Sequence, residues 1–359
     1  MRIKVNLFLI AIFSLGLLIN GCTSTSDGSS KRTQLVVFGA GSLIIPFSDL
    51  EKSFEEKYPN IDVQAQYHGS IQVMRHATEL HEPIDVVATA DASLVPMLMY
   101  NITDPESGIP YADWYIKFGT NNLAIAYQKD SKYSSELTVE NWFEILARAD
   151  VRVGLADPRF DAVGYRALMV YALAGEYYHR PTIFTEMFNG QFTFPLGIFT
   201  DQGITIVTVP EILETKPRSH IVLRGASVEL IALLESGDLD YAYEYESVIQ
   251  QHMLSMFTLP DELSLGDAAY EGFYNTVEVD EDFQRFASVK PVFRGEQIGY
   301  GITIPSNAPH PDEAALFISY LLSPEGRAIM EKNSQPLFDP AIGVDYQNIP
   351  ASLQQYCSP

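Results

Sequence analysis

The feature that most constrains this chain is a device used twice in its first seventy residues, where an apolar strand runs into a glycine-serine pair that opens a helix. The first copy is Leu35 to Phe38 followed by Gly39, Ala40, Gly41 and Ser42. The second is Ile61 to Tyr67 followed by His68, Gly69 and Ser70. Strands that turn directly into helices in succession are β-α units, and such units build an α/β sheet. The turns also carry chemistry. A helix N-terminus presents unpaired N–H groups and a partial positive charge, and glycine there lets a ligand approach the main chain closely. Each serine adds a hydroxyl donor or serves simply as an N-cap. Two such ends facing one point would hold a small anion.

The rest of the chain continues the alternation. Val36 to Gly39, Val63 to Tyr67, Asp85 to Ala90 and Asn122 to Tyr127 read as strands of a largely parallel sheet. Helices are expected over Ile45–Lys57, Ile71–Leu80 and Leu94–Tyr100. The first of these carries Phe47, Leu50, Phe54 and Tyr58 at helical spacing, which is a core stripe. A second set follows: helix Thr138–Arg148 capped by Thr138, strand Val151–Leu155, helix Gly164–Ala174, strand Ile221–Leu223, helix Val228–Leu234, the turn Gly237-Asp238 and strand Tyr241–Tyr245. Near the end, Tyr300–Ile304 reads as a strand and Pro311–Lys332 as one long helix. The aromatic- and Thr-rich stretch from Tyr177 to Pro217 has no clear period and reads as an elaborated connection or small insertion.

The N-terminus belongs to targeting. Arg2 and Lys4 precede the apolar run Leu7 to Ile19, as in a secretory signal. The run ends in Ile19-Asn20-Gly21-Cys22, which resembles a lipoprotein processing site with Cys22 as the lipid-bearing residue. An uncleaved membrane anchor is the rival reading. Thr23 to Thr33 is Ser/Thr-rich, as expected of a flexible tether. With Cys22 lipidated, Cys357 has no partner and a disulfide framework is excluded, so stability must come from a core. A hydrophobic content of 47% supplies one, in a chain long enough for two lobes. The net charge of −23, which becomes −25 once Arg2 and Lys4 leave with the signal, argues against a nucleic-acid partner. It would also repel an anion, so capture would depend on local dipoles in a closed cleft.

A longer series then ties the chain to a family. It comprises Ala40-Gly41-Ser42-Leu43 with Pro46-Phe47, Gly69-Ser70, Asp85-Val86-Val87-Ala88, Thr120-Asn121-Asn122-Leu123, and Asp161 leading into Gly164-Tyr165-Arg166. It continues through Gly237-Asp238-Leu239-Asp240-Tyr241-Ala242-Tyr243-Glu244-Tyr245 and the Pro311-Asp312-Glu313-Ala314 helix with Leu322-Ser323-Pro324-Glu325-Gly326. In this ordered set the chain resembles the substrate-binding proteins of ABC importers, specifically the archaeal-type tungstate/molybdate-binding family.

The resemblance implies a two-lobed, type II periplasmic-binding-protein-like fold with the ligand cleft between lobes. On that reading residues 1–21 are a signal peptide and 22–33 a lipid-anchored tether. Lobe 1 takes 34–116 plus 295–359, and lobe 2 takes 117–294. The function implied is not enzymatic. An extracytoplasmic monomer, anchored to the outer face of the cell membrane, captures tungstate or molybdate without a cofactor and delivers it to the permease of an ABC transporter. The ligand would lie at Gly41, Ser42 and Ser70, at the loop of Asp161, Ala162 and Val163, before the helix starting near Val228, and at the Tyr245 side chain. Archaeal members use a glutamate with an aspartate to complete a six-coordinate metal centre. Here Asp161 is the possible direct ligand to tungsten or molybdenum, but the family's spacing from Tyr245 puts Ser227 at the glutamate position. Glu229 is nearby, and two residues along a helix it should point elsewhere. A tetrahedral anion held by hydrogen bonds therefore stands level with octahedral coordination.

Ser42, Ser70, Tyr245 and backbone N–H groups are donors suited to a dianion that carries no proton. Asp161 also reads as a plain helix cap, and Tyr241 and Tyr243 as core. Arg166 is expected to be structural, tethering the Asp161 loop. Alternatives are a receptor of the same fold for sulfate, phosphate or ferric iron, a hydrolase using Ser42, and a sensory lobe. The hydrolase reading is weak because Ile44 stands where a nucleophile elbow needs its last glycine.

Overall fold

The computed structural model describes residues 32–281 and 290–359. The expected signal segment 1–21, Cys22 and the tether up to residue 31 lie outside the described residues. From its start the chain runs β1 (Thr33–Ala40), a three-residue 3-10 turn, α1 (Ile44–Lys57), β2 (Ile61–His68), α2 (Ser70–Thr78), β3 (Val86–Thr89) and β4 (Tyr115–Gly119). A second stretch follows with β5 (Leu123–Tyr127), α3 (Trp142–Leu146), β6 (Val153–Ala156), α4 (Ala162–Tyr177), α5 (Ile183–Phe188), β7 (Gly197–Asp201), β8 (Ile204–Val209) and β9 (Ile221–Arg224). Next come α6 (Val228–Glu235), β10 (Tyr241–Tyr245), α7 (Glu246–Gln251), β11 (Ser255–Thr258), the short α8 (Asp261–Ser264) and α9 (Glu271–Tyr274), then β12 (Val277–Glu281) and β13 (Val292–Arg294). The chain ends with β14 (Tyr300–Thr303), α10 (Pro311–Leu322), α11 (Pro324–Lys332), β15 (Leu337–Val344) and β16 (Cys357–Ser358).

These elements form two lobes. The first is built on a seven-stranded sheet in the order β16-β15-β4-β14-β3-β1-β2. The second holds a five-stranded sheet, β11-β5-β10-β6-β9, and a four-stranded sheet, β13-β12-β8-β7. The chain crosses between the lobes at 120–122 and again at 295–299, because β4 stays in the first sheet to Gly119, three residues past the expected 116. The crossings touch where the Thr120 hydroxyl donates to the Ile298 carbonyl at 2.8 Å.

The sheets are mixed rather than largely parallel. β2, β1 and β3 are parallel, as the β-α units require, whereas β14 returns antiparallel to both β3 and β4. In the second lobe β9, β6 and β10 are parallel, β5 runs against them, and the edge strand β11 runs against β5. The parallel strands matter for function, since their C-terminal ends all open toward the space between the lobes, where ligands of open α/β sheets bind.

The expected α1 stripe is the core contact. Phe47 and Phe54 pack edge-on against Phe317 of α10 at 6.0 and 5.3 Å, and Leu50 is fully buried. Other expectations change. Pro311–Lys332 is two helices, because Pro324 excludes Ser323 from helical geometry (φ −69°, ψ 164°) and Ser323 then caps α11 through its hydroxyl. The Thr138–Arg148 helix shrinks to α3, since the Asn141 side chain takes the Thr138 N–H at 2.8 Å and holds a turn instead. The stretch 177–217 contains α5 and the β7–β8 hairpin, turned at Gln202 and Gly203 with positive φ. Pairing of β8 with the distant β12 makes it a sheet, which no local period announces. Among the described residues no helix is long and apolar enough to cross a membrane.

Candidate functional site

Four helix starts meet where the lobes face each other. On the first lobe, extended backbone at Ala40 (φ −61°, ψ 148°) leads through Gly41–Leu43 into α1, and extended Gly69 (φ −58°, ψ 145°) leads into α2. On the second, Asp161 caps α4 and Ser227 precedes α6. The two sides touch. A Cβ on Gly69 would stand 2.4 Å from the Phe160 carbonyl oxygen, and one on Gly41 would stand 3.0 Å from Val228. The Ile71 N–H donates across the cleft to Phe160 O at 3.2 Å. Four helix dipoles thus point their positive ends at one place, which offsets locally a chain of net charge −23.

Neither serine caps its helix. Ser70 Oγ accepts the Ala90 N–H at 3.1 Å, and Ser42 Oγ accepts the Tyr300 hydroxyl at 2.9 Å. A hydroxyl that already accepts is left with its own proton to donate. For Ser42 the chain of donors reaches back to the crossing, where Asn121 Nδ2 donates to Tyr300 Oη at 3.3 Å and to Ser247 Oγ at 2.7 Å. Both serines are buried.

Asp161 does act as a cap. Its carboxylate accepts the Val163 N–H at 2.8 Å and reaches on to the Ser227 N–H at 3.1 Å, so it ties the starts of α4 and α6 together. Burial pushes its pKa up to about 6, against the pull of those two N–H groups and of Arg166. Ala162 and Val163 form the first turn of α4 and are buried, as is Ser227. Glu229, on the first turn of α6, is exposed. Among the described residues no group of three or more His, Cys, Asp and Glu is arranged to hold a metal ion.

Tyr245 ends β10 and is buried with Tyr241 and Tyr243. Tyr243 packs edge-on against Tyr171, a core contact, whereas the Tyr245 hydroxyl accepts a hydrogen bond from Arg166. Arg166 corrects the expectation made for it. Rather than tethering the Asp161 loop, its guanidinium reaches the other lobe, donating to Ala90 O at 2.8 Å and pairing with Asp91 at 3.4 Å. Tyr165, its neighbour, also donates to Asp91. A three-pronged contact of this kind uses the planar fork that only arginine has.

Sequence reasoning missed Asp91, Tyr300, Asn121 and Glu244 as members of this region. Glu244 carried a signal, being an acidic residue alternating with tyrosines on a strand that is otherwise apolar. It is completely buried, and burial pushes its carboxyl up to about 8, helped by the nearby Asp161 charge and opposed by the Tyr245 N–H. An unfolded glutamate titrates near 4.5, so between there and about 8 the folded protein holds one more proton than the unfolded chain. This group's contribution is therefore fully present below pH 4.5 and lost as pH rises through the folded value. Melting temperatures of wild type and Glu244→Gln should accordingly diverge across pH 5 to 8, the variant losing less stability on the alkaline side.

A polar cavity of about 700 Å³ lies at the chain crossings, lined by Asn121, Glu246, Ser247, Gln335 and Arg327 among others. It includes neither Ser42, Ser70 nor Asp161, and Asn121 links it to the helix-end site through its bond to Tyr300.

Comparison with known proteins bears on what such a cleft holds. The family model of bacterial extracellular solute-binding proteins matches residues 35–333. The molybdate/tungstate-binding protein WtpA of Thermococcus kodakarensis is 36% identical, with 98% of this chain and 96% of that protein covered. The WtpA of Pyrococcus abyssi is 35% identical, with 96% of each covered. Among solved structures, the periplasmic molybdate-binding protein of Azotobacter vinelandii superposes with a TM-score of 0.52 at 15% identity, covering 85% of this chain and all of the other. The sulfate-binding protein SubI of Mycobacterium tuberculosis H37Rv gives 0.50 at 13% identity, with 90% of each covered. Those two likenesses speak for the fold.

Proposed function

The chain belongs to the bacterial extracellular solute-binding protein family, and we propose that it captures tungstate or molybdate between its lobes and hands the anion to the permease of an ABC importer. The observation that carries this reading is the convergence of the helix starts at Gly41-Ser42, Gly69-Ser70, Asp161-Val163 and Ser227-Val228 across one cleft. The names of the full-length relatives from Thermococcus and Pyrococcus support the choice of anion. The protein works outside the cytoplasm as a monomeric receptor without catalysis, tethered to the outer face of the membrane through Cys22, with residues 22–33 as the leash. The lobe of the seven-stranded sheet closes on the lobe of the other two sheets about the crossings at 120–122 and 295–299, and the closed pair is what the permease reads.

The anion binds as a tetrahedron held by hydrogen bonds from Ser42, Ser70, Tyr245 and main-chain N–H groups near Gly41 and Ala162, with Val163 packed beside it and its own N–H held by Asp161. Ser227 replaces the carboxylate that an octahedral site would need, and the exposure of Glu229 supports the same geometry. The double variant Ser42→Ala, Ser70→Ala removes two hydrogen bonds to a charged ligand, each worth about 1.5–3 kcal/mol. Calorimetric titration with tungstate should show affinity falling by at least about tenfold in a variant that stays folded but melts lower, because the Ala90 N–H and the Tyr300 hydroxyl lose their acceptors. Unaltered affinity would remove the helix-end site from the reading, and preference for sulfate, phosphate or ferric iron in wild type would change the ligand.

A further inference from the structure

Glu244 has a buried carboxyl oxygen that finds no partner among the described residues. Its Oε1 accepts the Tyr245 N–H at 2.8 Å, while Oε2 is sealed from solvent and makes no hydrogen bond to any described residue. Buried polar atoms are nearly always satisfied, so an orphan of this kind asks for an explanation. Strand alternation supplies the direction. Tyr245 and Tyr243 point toward α4, whereas Ala242, on the opposite face with Glu244, packs among Leu230 and Leu234 of α6. Glu244, one step further along the strand, therefore lies toward the N-terminal end of α6. There it feels the Asp161 carboxylate, and the Ser227 hydroxyl is near enough to favour its charged form without making a well-formed bond. The Ser227 N–H is the group that Asp161 already grips at 3.1 Å.

We propose that Glu244 is a ligand-contacting, specificity-determining residue of this cleft, its Oε2 meeting one oxygen of the bound oxyanion beside Asp161 and Ser227. The inference rests on reading the cleft as an oxyanion site. Two oxygens in contact need one proton between them. Tungstate, molybdate and sulfate bring none at neutral pH, so the carboxyl must supply it, and its buried, raised state agrees with that. Phosphate can bring its own proton, which would suit a charged carboxylate instead.

The test compares wild type with Glu244→Gln, which keeps the length and offers an N–H donor, and Glu244→Met, which keeps volume but donates nothing. Each is titrated with tungstate, molybdate, sulfate and phosphate, and its melting temperature is recorded. Glu244→Gln should hold tungstate within about threefold of wild type, while Glu244→Met should lose at least about tenfold with no fall in melting temperature. The infrared difference spectrum of wild type on adding tungstate should also show a shifted carboxyl C=O band that is absent from Glu244→Gln, a readout that does not depend on the methionine variant folding. Tungstate binding by a folded Glu244→Met at wild-type strength, or a difference spectrum without a Glu244 band, would overturn the inference alone. Wild type that binds none of the four anions would overturn the oxyanion reading beneath it.

Discussion

Replacing Gly69 by alanine is expected to weaken tungstate binding by about a hundredfold while leaving both lobes folded. The local backbone, φ −58° and ψ 145°, is one that any residue adopts, and the Gly69 N–H can keep its bond to Gln72 Oε1 at 3.2 Å. The three atoms nearest to the added carbon all belong to the other lobe. That carbon meets the Phe160 carbonyl oxygen at 2.4 Å and the carbonyl carbon at 3.0 Å, distances at which something must move. A backbone carbonyl cannot swing aside as a flexible side chain would. The closed state becomes a minor species, and the apparent affinity drops by the fraction of molecules still able to close. Titration gives the affinity, and small-angle scattering with and without tungstate gives the degree of closure. Wild-type affinity in Gly69→Ala would mean that closure to this contact is not part of binding.

Arg166→Met should weaken binding to a similar degree, and the conservative Arg166→Lys should recover little of it. The guanidinium spans Ala90 O, Asp91 and Tyr245 Oη, so it holds the lobes together and also fixes the hydroxyl that faces the cleft. Because Tyr245 accepts from Arg166, its own proton is free for the anion. Removing one partner of a buried ion pair costs about 3–5 kcal/mol, since the other charge stays buried and unpaired. Here that residue is Asp91, with Glu296 close by, a carboxyl that burial and the Asp91 charge already push up to about 7. Lysine offers a point charge in place of a fork and cannot reach three acceptors at once. The loss should appear in affinity more than in the melting temperature of the ligand-free protein, where open lobes leave Asp91 hydrated. Equal affinities for Arg166→Met and wild type would leave Arg166 without a part in closure.

The sequence carried the parts of this site that are local. Glycine-serine turns after apolar strands announced α1 and α2, and Asp161 ahead of an Ala-rich helix announced α4, because helix starts are written in neighbouring residues. What those residues do was less legible. Ser42 and Ser70 lie where capping residues are expected, yet their hydroxyls bond Tyr300 and the Ala90 N–H, partners 258 and 20 residues away. The reach of Arg166 to Asp91 crosses the cleft and follows from closure, which no sequence period encodes. The β7–β8 hairpin was hidden for the same reason. It becomes a sheet only when β12, about seventy residues later, lies beside it. Pro324, by contrast, was a local break within an expected long helix and could have been read as one.

The central claim is that one oxyanion sits where the four helix starts meet, and a crystal grown with tungstate tests it most directly. Tungsten's anomalous scattering fixes its position independently of any reading of the density. The account predicts a single strong peak between the lobes, within hydrogen-bond reach of the Ser42 and Ser70 hydroxyls and of Tyr245, with the Glu244 carboxyl against one oxygen. A peak in the polar cavity by Asn121 and Gln335, or lobes closed as here with no tungsten between them, would contradict it.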